Sequence, residues 1–286
     1  MTAIGYYQDM TLKERNTFFK IGVCVAALAL AAVAASSAVI FRVDPPAYPV
    51  AVEGAVQRPY GLMLNFLRPS AYGVFASIII SALYALASLI YIYRFFEKTQ
   101  SPEILYVGFF ALSFAFEVCR VMIPLANVNE LAGIYVVIAA RTLFFGRYLG
   151  LFSLLTAGLY ASDFNTQEQK YTIVILVSVS LMFAVEAPID GFSWNTALNV
   201  TNGYSKLFKT IEISVAAITL ASFLMSALTR GSNMYLFISI GIFLAFMGRG
   251  FLLNADTWIA PILGALFLGI GTWLVSDKLH SVYLWL

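Results

Sequence analysis

The sequence predicts an all-α, polytopic membrane bundle of eight transmembrane helices, one N-terminal helix followed by a seven-helix bundle. Three observations carry that class. The 286 residues are 61% hydrophobic and only 11% charged, with a mean hydropathy of +0.85, whereas a soluble domain is about 45–50% apolar and about 25% charged. Eight separate stretches reach the roughly 20 mostly apolar residues that a spanning helix needs. No stretch alternates apolar and polar residues over about ten positions, as a membrane β-barrel strand would. A soluble globule, a disordered chain and a disulfide-stapled secreted scaffold are excluded together.

The elements follow in chain order. Residues 1–42 comprise an N-terminal segment and the first helix, 18–41, preceded by Lys13, Arg15 and Lys20. Ala32-Val33-Ala34 resembles a signal-peptide cleavage site, but the apolar run is longer than a usual signal core, so a retained helix is expected. Residues 43–71 carry Pro45, Pro46, Pro49, Pro59 and Pro69, a density that opposes helix; they read as an extended extracytoplasmic loop. The seven-helix domain spans 72–276, with helices at 72–95, 104–126, 134–161, 171–189, 207–229, 233–252 and 257–276. Within it, 190–206 is a second long loop containing Asn199-Val200-Thr201, a glycosylation sequon by pattern. Residues 277–286 mix charge with aromatics and read as a cytoplasmic interfacial tail, a candidate docking point for a protein partner.

Orientation follows from the basic residues of the loops. With the N-terminus inside, Lys13, Arg15, Lys20, Arg94, Lys98, Lys170, Arg230 and Lys278 lie on the inner side, against Arg42, Arg58, Arg68 and Lys206 outside. A cell inner (plasma) membrane location with both termini cytoplasmic is expected, and the lipid bilayer is the first partner.

Ionisable residues inside a membrane are costly, and each is a functional candidate. Seven form the candidate ligand-binding set: Glu117, Arg120, Arg141, Arg147, Glu186, Glu212 and Arg249. Lys209, Asp190 and Asp256 read as end residues that reach the headgroups. Alternating helix direction gathers these charges in one half of the bilayer, beside loops 43–71 and 190–206, with only Arg147 near the centre. Glu117 and Arg120 are three apart, as are Lys209 and Glu212, so each pair shares a helix face. Glu186 and Asp190 are four apart with Pro188 between them, and Arg141 and Arg147 point about 120° apart. The expected function is an outward-facing polar pocket for a small or lipidic anion. Arg120, Arg141 and Arg249 would contact it, since the guanidinium fork suits carboxylate or phosphate. Glu117, Glu186 and Glu212 would orient those arginines. A structural subunit of a larger complex is the alternative, with a transporter or a lipid-acting enzyme behind it. Gly146, Gly150, Gly264, Gly269 and Gly271 read as close helix contacts, and Cys24 and Cys119 as packed thiols.

No catalytic constellation is recognisable. One histidine, His280, cannot build a His-based metal site or a Ser-His-Asp set, and no metal or cofactor is expected. No phosphate-binding glycine loop and no long basic run are present, so nucleic acid is not a partner. A carboxylate-only enzyme using Glu117, Glu186 or Glu212 stays open.

Two resemblances bear on this. Arg147-Tyr148 with Ser153 resembles the third helix of microbial rhodopsins, but the required mid-helix lysine is missing (Lys278 lies beyond the last helix) and Gly150 occupies the aspartate position, which excludes retinal. One N-terminal helix, an outer segment and seven further helices resemble the bacterial seven-transmembrane receptors with diverse intracellular signalling modules. That resemblance is architectural and implies a receptor-type membrane domain. It departs from the family in its outer segment, too short for a sensor domain, and in lacking a kinase or cyclase before Leu286.

Overall fold

A computed structural model describes residues 10–43, 69–97, 101–162 and 169–284. Eight helices in it are long and apolar enough to cross a membrane, and the chain is a multi-pass membrane protein. They are α1 (Leu12–Val43), α2 (Ala71–Phe95), α3 (Pro102–Val128), α4 (Gly133–Ala161), α5 (Gln169–Glu186), α6 (Ser205–Thr229), α7 (Asn233–Leu253) and α8 (Ile259–Tyr283), the last running on to Leu284. Each expected helix is present. Most of the proline-rich loop, 44–68, lies outside the described residues; its far end, Pro69 and Ser70, bridges to Thr257 and to the carbonyl of Asp256.

One departure has a local cause. The fifth helix stops at Glu186 rather than 189, because Pro188 cannot continue it. Asp190 therefore sits in a strand, not one helical turn beyond Glu186. The loop that follows is a hairpin, β1 (Ile189–Trp194) against β2 (Val200–Asn202), antiparallel and irregular in register. The last helix runs on through Leu284, so residues 277–284 are helical.

Helix α3 is the buried axis. Ile104, Leu105, Tyr106, Phe110 and Phe114 are all enclosed, with α1, α2 and α4 packed around it and α7–α8 as a tight pair beyond α2. Ser101-Pro102-Glu103 starts it with a proline in the first turn and an early carboxylate, both favoured there. Helix α1 packs through Phe19, Ala26, Val33 and Ile40, a buried stripe with a seven-residue repeat. Cys24 falls off that stripe and is exposed, contrary to the expected packed thiol. Large exposed aliphatics such as Leu28, Met225 and Leu228 form the lipid-facing surface, where water would not tolerate them.

Small residues set the closest approaches. A Cβ on Gly146 would collide with Cβ of Phe116, and one on Gly150 with Oγ of Ser113, which seats α4 directly on α3. Between α7 and α8, Gly248 and Gly271 face backbone: their Cβ atoms would lie 2.7 Å from the Leu268 nitrogen and 2.6 Å from the Gly241 carbonyl oxygen.

The middle of α3 is wound as a 3-10 helix over Phe114–Val121, with α-helix on both sides. Pro124 supplies a cause: it has no N–H for the carbonyl of Arg120 and its ring crowds that oxygen. A 3-10 helix has three residues per turn, so side chains three apart eclipse. Glu117 is thereby stacked directly over Arg120.

Candidate functional site

The carboxylate of Glu117 is the centre of the polar network. Only 1% of its side chain is exposed, yet it receives both prongs of Arg147 from α4, with Nε to Oε1 and Nη2 to Oε2 each 2.8 Å. Arg120 Nη1 approaches its Oε2 at 3.5 Å. Two-pronged guanidinium–carboxylate geometry is the strongest form of ion pair available to side chains. Seating Arg147 so close requires α4 to lie against α3, which Gly146 on one side of it permits.

Arg120 is fully buried and its donors end on groups of this chain. Nε and Nη2 donate to the carbonyl of Ala197, Nη1 to Oγ of Ser77 at 3.2 Å and to the carbonyl of Leu252 at 3.4 Å. Leu252 lies in the last turn of α7, whose end carbonyls have no helical partner. A cation there is favoured both as a donor and by the helix dipole. Arg141 does the same for α5, donating to the carbonyls of Ala184 and Val185. In lipid such carbonyls find no water, so both arginines act as helix-end caps.

The hairpin loop is the second half of the site. The Asn195 side chain accepts from the backbone N–H groups of Ala197 (3.1 Å) and Asn199 (2.9 Å), a local turn typical of asparagine. Leu198 is held at φ +55°, a left-handed conformation rare for a leucine. The result inserts Ala197 into the end of the bundle, 2% exposed, with its carbonyl on Arg120. Asn199 is buried beside it, accepting from Arg147 Nη2 at 2.7 Å and donating to the Leu253 carbonyl at 2.9 Å. A glycan on Asn199 is incompatible with that burial, so the sequon pattern is not an acceptor in this fold. Thr196 reaches Asp256 at 3.2 Å and ties the loop to the start of α8.

Arg249 of α7 extends the network, donating from Nη2 to the backbone carbonyl of Arg147 (3.3 Å) and to Glu212 Oε1 of α6 (3.2 Å). Among the described residues the bonded set therefore holds three guanidiniums, Arg120, Arg147 and Arg249, against two carboxylates, Glu117 and Glu212. Beside it opens a cleft of about 370 Å³ between α4, α6, the end of α7 and the hairpin. Arg147, Lys209 and Glu212 are its charged lining residues, with Asn195, Asn199 and Ser205 among the neutral polar ones and Phe144, Tyr148 and Phe208 forming an aromatic floor.

The seven sequence candidates thus separate. Glu117, Arg120, Arg147, Glu212 and Arg249 come together in one network. Arg141 caps α5 one helical turn and more away, and Glu186 is exposed at the end of that helix. Of the network cations, Arg147 faces the cleft, whereas Arg120 is enclosed behind it. Lys209, expected merely to reach the headgroups, lines the cleft. Asn195 and Ala197 join the site without a motif to mark them, and Asn199 is marked only as a sequon; the further signal is an asparagine pair bracketing a short loop.

A second polar cluster lies at the opposite end of the bundle. Glu103 is 1% exposed and accepts from the Tyr283 hydroxyl at 2.7 Å and from Ser101 at 3.0 Å. It pins the end of α8 to the start of α3. Nearby, His280 packs against the rings of Phe95 and Phe96 at 4.5 and 5.5 Å. Among the described residues no three His, Cys, Asp or Glu side chains come together as a metal site.

The bonding of Asn199 makes a direct expectation. Asn199→Ala leaves an Arg147 donor and the Leu253 carbonyl unpartnered at about 1–3 kcal/mol for each buried group. Thermal unfolding of the purified variant in detergent should show a loss of at least about 2 kcal/mol, and a melting point matching wild type would mean that water replaces the amide.

No protein-family model matches the chain. Over 116 residues, 41% of its length, it is 27% identical to an uncharacterized protein of Treponema pallidum (strain Nichols). The aligned stretch covers 34% of that protein, so the chain matches about a third of its relative.

Proposed function

We propose that the protein is a membrane binding protein, of receptor type, that takes an anionic group in the cleft between α4, α6 and the hairpin. The observation that carries this reading is the charge of the cleft wall. Arg147 and Lys209 face the space, while Glu212, the carboxylate beside them, is already held by Arg249. The connected network has one guanidinium in excess of its carboxylates before Lys209 is counted. Positive charge inside an apolar bundle calls for a compensating anion. A carboxylate or phosphate on Arg147 and Lys209, with the amides of Asn195 and Asn199 as further contacts, supplies it. The excess of basic residues in the opposite loops supports an extracytoplasmic position for this end of the bundle, with both termini inside.

Lys209 is the residue to change, because it is exposed and lies in the first turns of α6. Lys209→Glu should leave the unfolding free energy within about 0.5 kcal/mol of wild type, as surface substitutions do. It should weaken retention of sn-glycerol 3-phosphate, followed by native mass spectrometry, at least tenfold. Absence of any bound anion on the wild type at millimolar glycerol phosphate, citrate and sulfate would end this reading.

One observation favours the alternative, a structural membrane subunit. Arg120 and Arg141 are both committed to carbonyls of this chain, as charges that hold a fold together would be. That reading expects the wild type to bind no anion and to co-purify with a partner protein under mild extraction.

A further inference from the structure

We infer that the occupant of the cleft is a lipid, its anionic headgroup on Arg147 and Lys209 and its chain lying in the seam between α5 and α6. The inference rests on the anion-binding reading above and adds the class of ligand. Three features of the molecule carry it.

The floor of the cleft does not end at the polar residues. Phe144 and Tyr148 belong to a ladder that continues along α4 to Phe152, with ring centroids 6.4 and 6.1 Å apart and planes within about 23° of parallel. Eight residues of helix advance about 12 Å, so the ladder runs from the charged end into the apolar middle of the bundle. Phe183 of α5 packs on Tyr148 and Phe152 at 5.1 and 5.3 Å, and Phe208 of α6 on Tyr148 at 6.0 Å.

The helices on either side of that ladder are not packed along each other. Among the described residues α5 packs chiefly along α4, while α6 packs along α4 and α7. The α5–α6 seam therefore has little direct helix–helix packing. Phe152 and Phe183 in it are half-buried, and the outer faces of both helices, with Val174, Met182 and Met225, are exposed apolar surface.

The charge completes the match. A seam that borders the bilayer and follows an aromatic ladder to Arg147 and Lys209 has the polarity of an amphiphile: chain below, anion above. A free phosphate or carboxylate would use the cleft and leave the ladder without a role.

The test uses the full chain purified in detergent and native mass spectrometry with three probes: dioleoyl phosphatidylglycerol, dioleoyl phosphatidylcholine and sn-glycerol 3-phosphate. Wild type should retain phosphatidylglycerol at least tenfold more tightly than either other probe. Phe152→Ala, which removes the lower rung, and Phe183→Ala, which removes the α5 ring packed across it, should each lower the ratio of phosphatidylglycerol to glycerol phosphate binding at least tenfold. Should either variant fail to fold, the comparison of dihexanoyl with dioleoyl phosphatidylglycerol on wild type decides the same point, since a seated chain makes affinity rise with its length. Glycerol phosphate binding as tight as the lipid overturns the lipid assignment and leaves the anion site standing. Equal retention of phosphatidylcholine and phosphatidylglycerol overturns it too, as bulk lipid adhesion. Loss of all binding to the wild type overturns both readings.

Discussion

Glu117→Ala is expected to destabilise the protein by about 3–5 kcal/mol, the usual consequence of removing one partner from a buried ion pair. The size follows from what is left behind. Arg147 loses both of its carboxylate bonds, and Arg120, enclosed behind it, loses the anion beside it. Glu117→Gln should cost less, because an amide still accepts one of the two prongs. The double replacement Glu117→Leu/Arg147→Met should recover much of the loss, since apolar side chains of similar volume often substitute for a buried pair without penalty. Unfolding followed by near-ultraviolet circular dichroism in detergent, run as a double-mutant cycle, measures the coupling. A Glu117→Ala protein within about 0.5 kcal/mol of wild type would show that the carboxylate is hydrated rather than locked.

Gly248→Leu and Gly271→Leu should be comparably damaging for a steric reason. Overpacking ordinarily costs about 1–3 kcal/mol, and here the atoms met are main chain, which cannot swing aside. A Cβ at Gly248 would meet the Leu268 nitrogen and, at 2.8 Å, the Gly264 carbonyl oxygen, before any further side-chain atom is placed. The same two helices carry their own controls. A Cβ at Gly250 or Gly269 would have no atom within 4 Å among the described residues, so alanine at either should be neutral or slightly favourable through helix propensity. Monodispersity and melting temperature of the four variants distinguish contact from general glycine effects; equal tolerance at all four positions would mean that α7 and α8 separate freely.

The bundle was legible because lipid imposes its constraint on every spanning segment independently. Length and apolarity mark each helix without reference to its neighbours. The gathering of charge at one end was legible too, since alternating direction fixes depth. Pairing was not. Spacing along one helix placed Glu117 with Arg120, but the stronger bonds of Glu117 go to Arg147 on another helix, and their geometry depends on the 3-10 winding near Pro124. Pro124 was the visible clue to that winding. Arg120 and Arg141 end on carbonyls, which every residue possesses, so no residue type announces them. Asn199 was hidden behind a surface pattern: the three letters of a sequon describe an exposed asparagine, and this one is sealed against Arg147.

The burial of Arg120 constrains the order in which the protein can be built. A nascent chain that has inserted only α1 to α3 carries Glu117 and Arg120 with little but each other and Ser77. Arg147 arrives with α4, the Ala197 carbonyl with the hairpin after α5, and the Leu252 carbonyl with the end of α7. The central charge is thus completed from four successive stages of synthesis, the last of them at the end of α7. Until then the guanidinium must stay hydrated or be shielded by the insertion machinery. Closure of the bundle is consequently a late, concerted event, and chains truncated before α7 should be recognised as unfinished and degraded rather than accumulate as stable partial bundles.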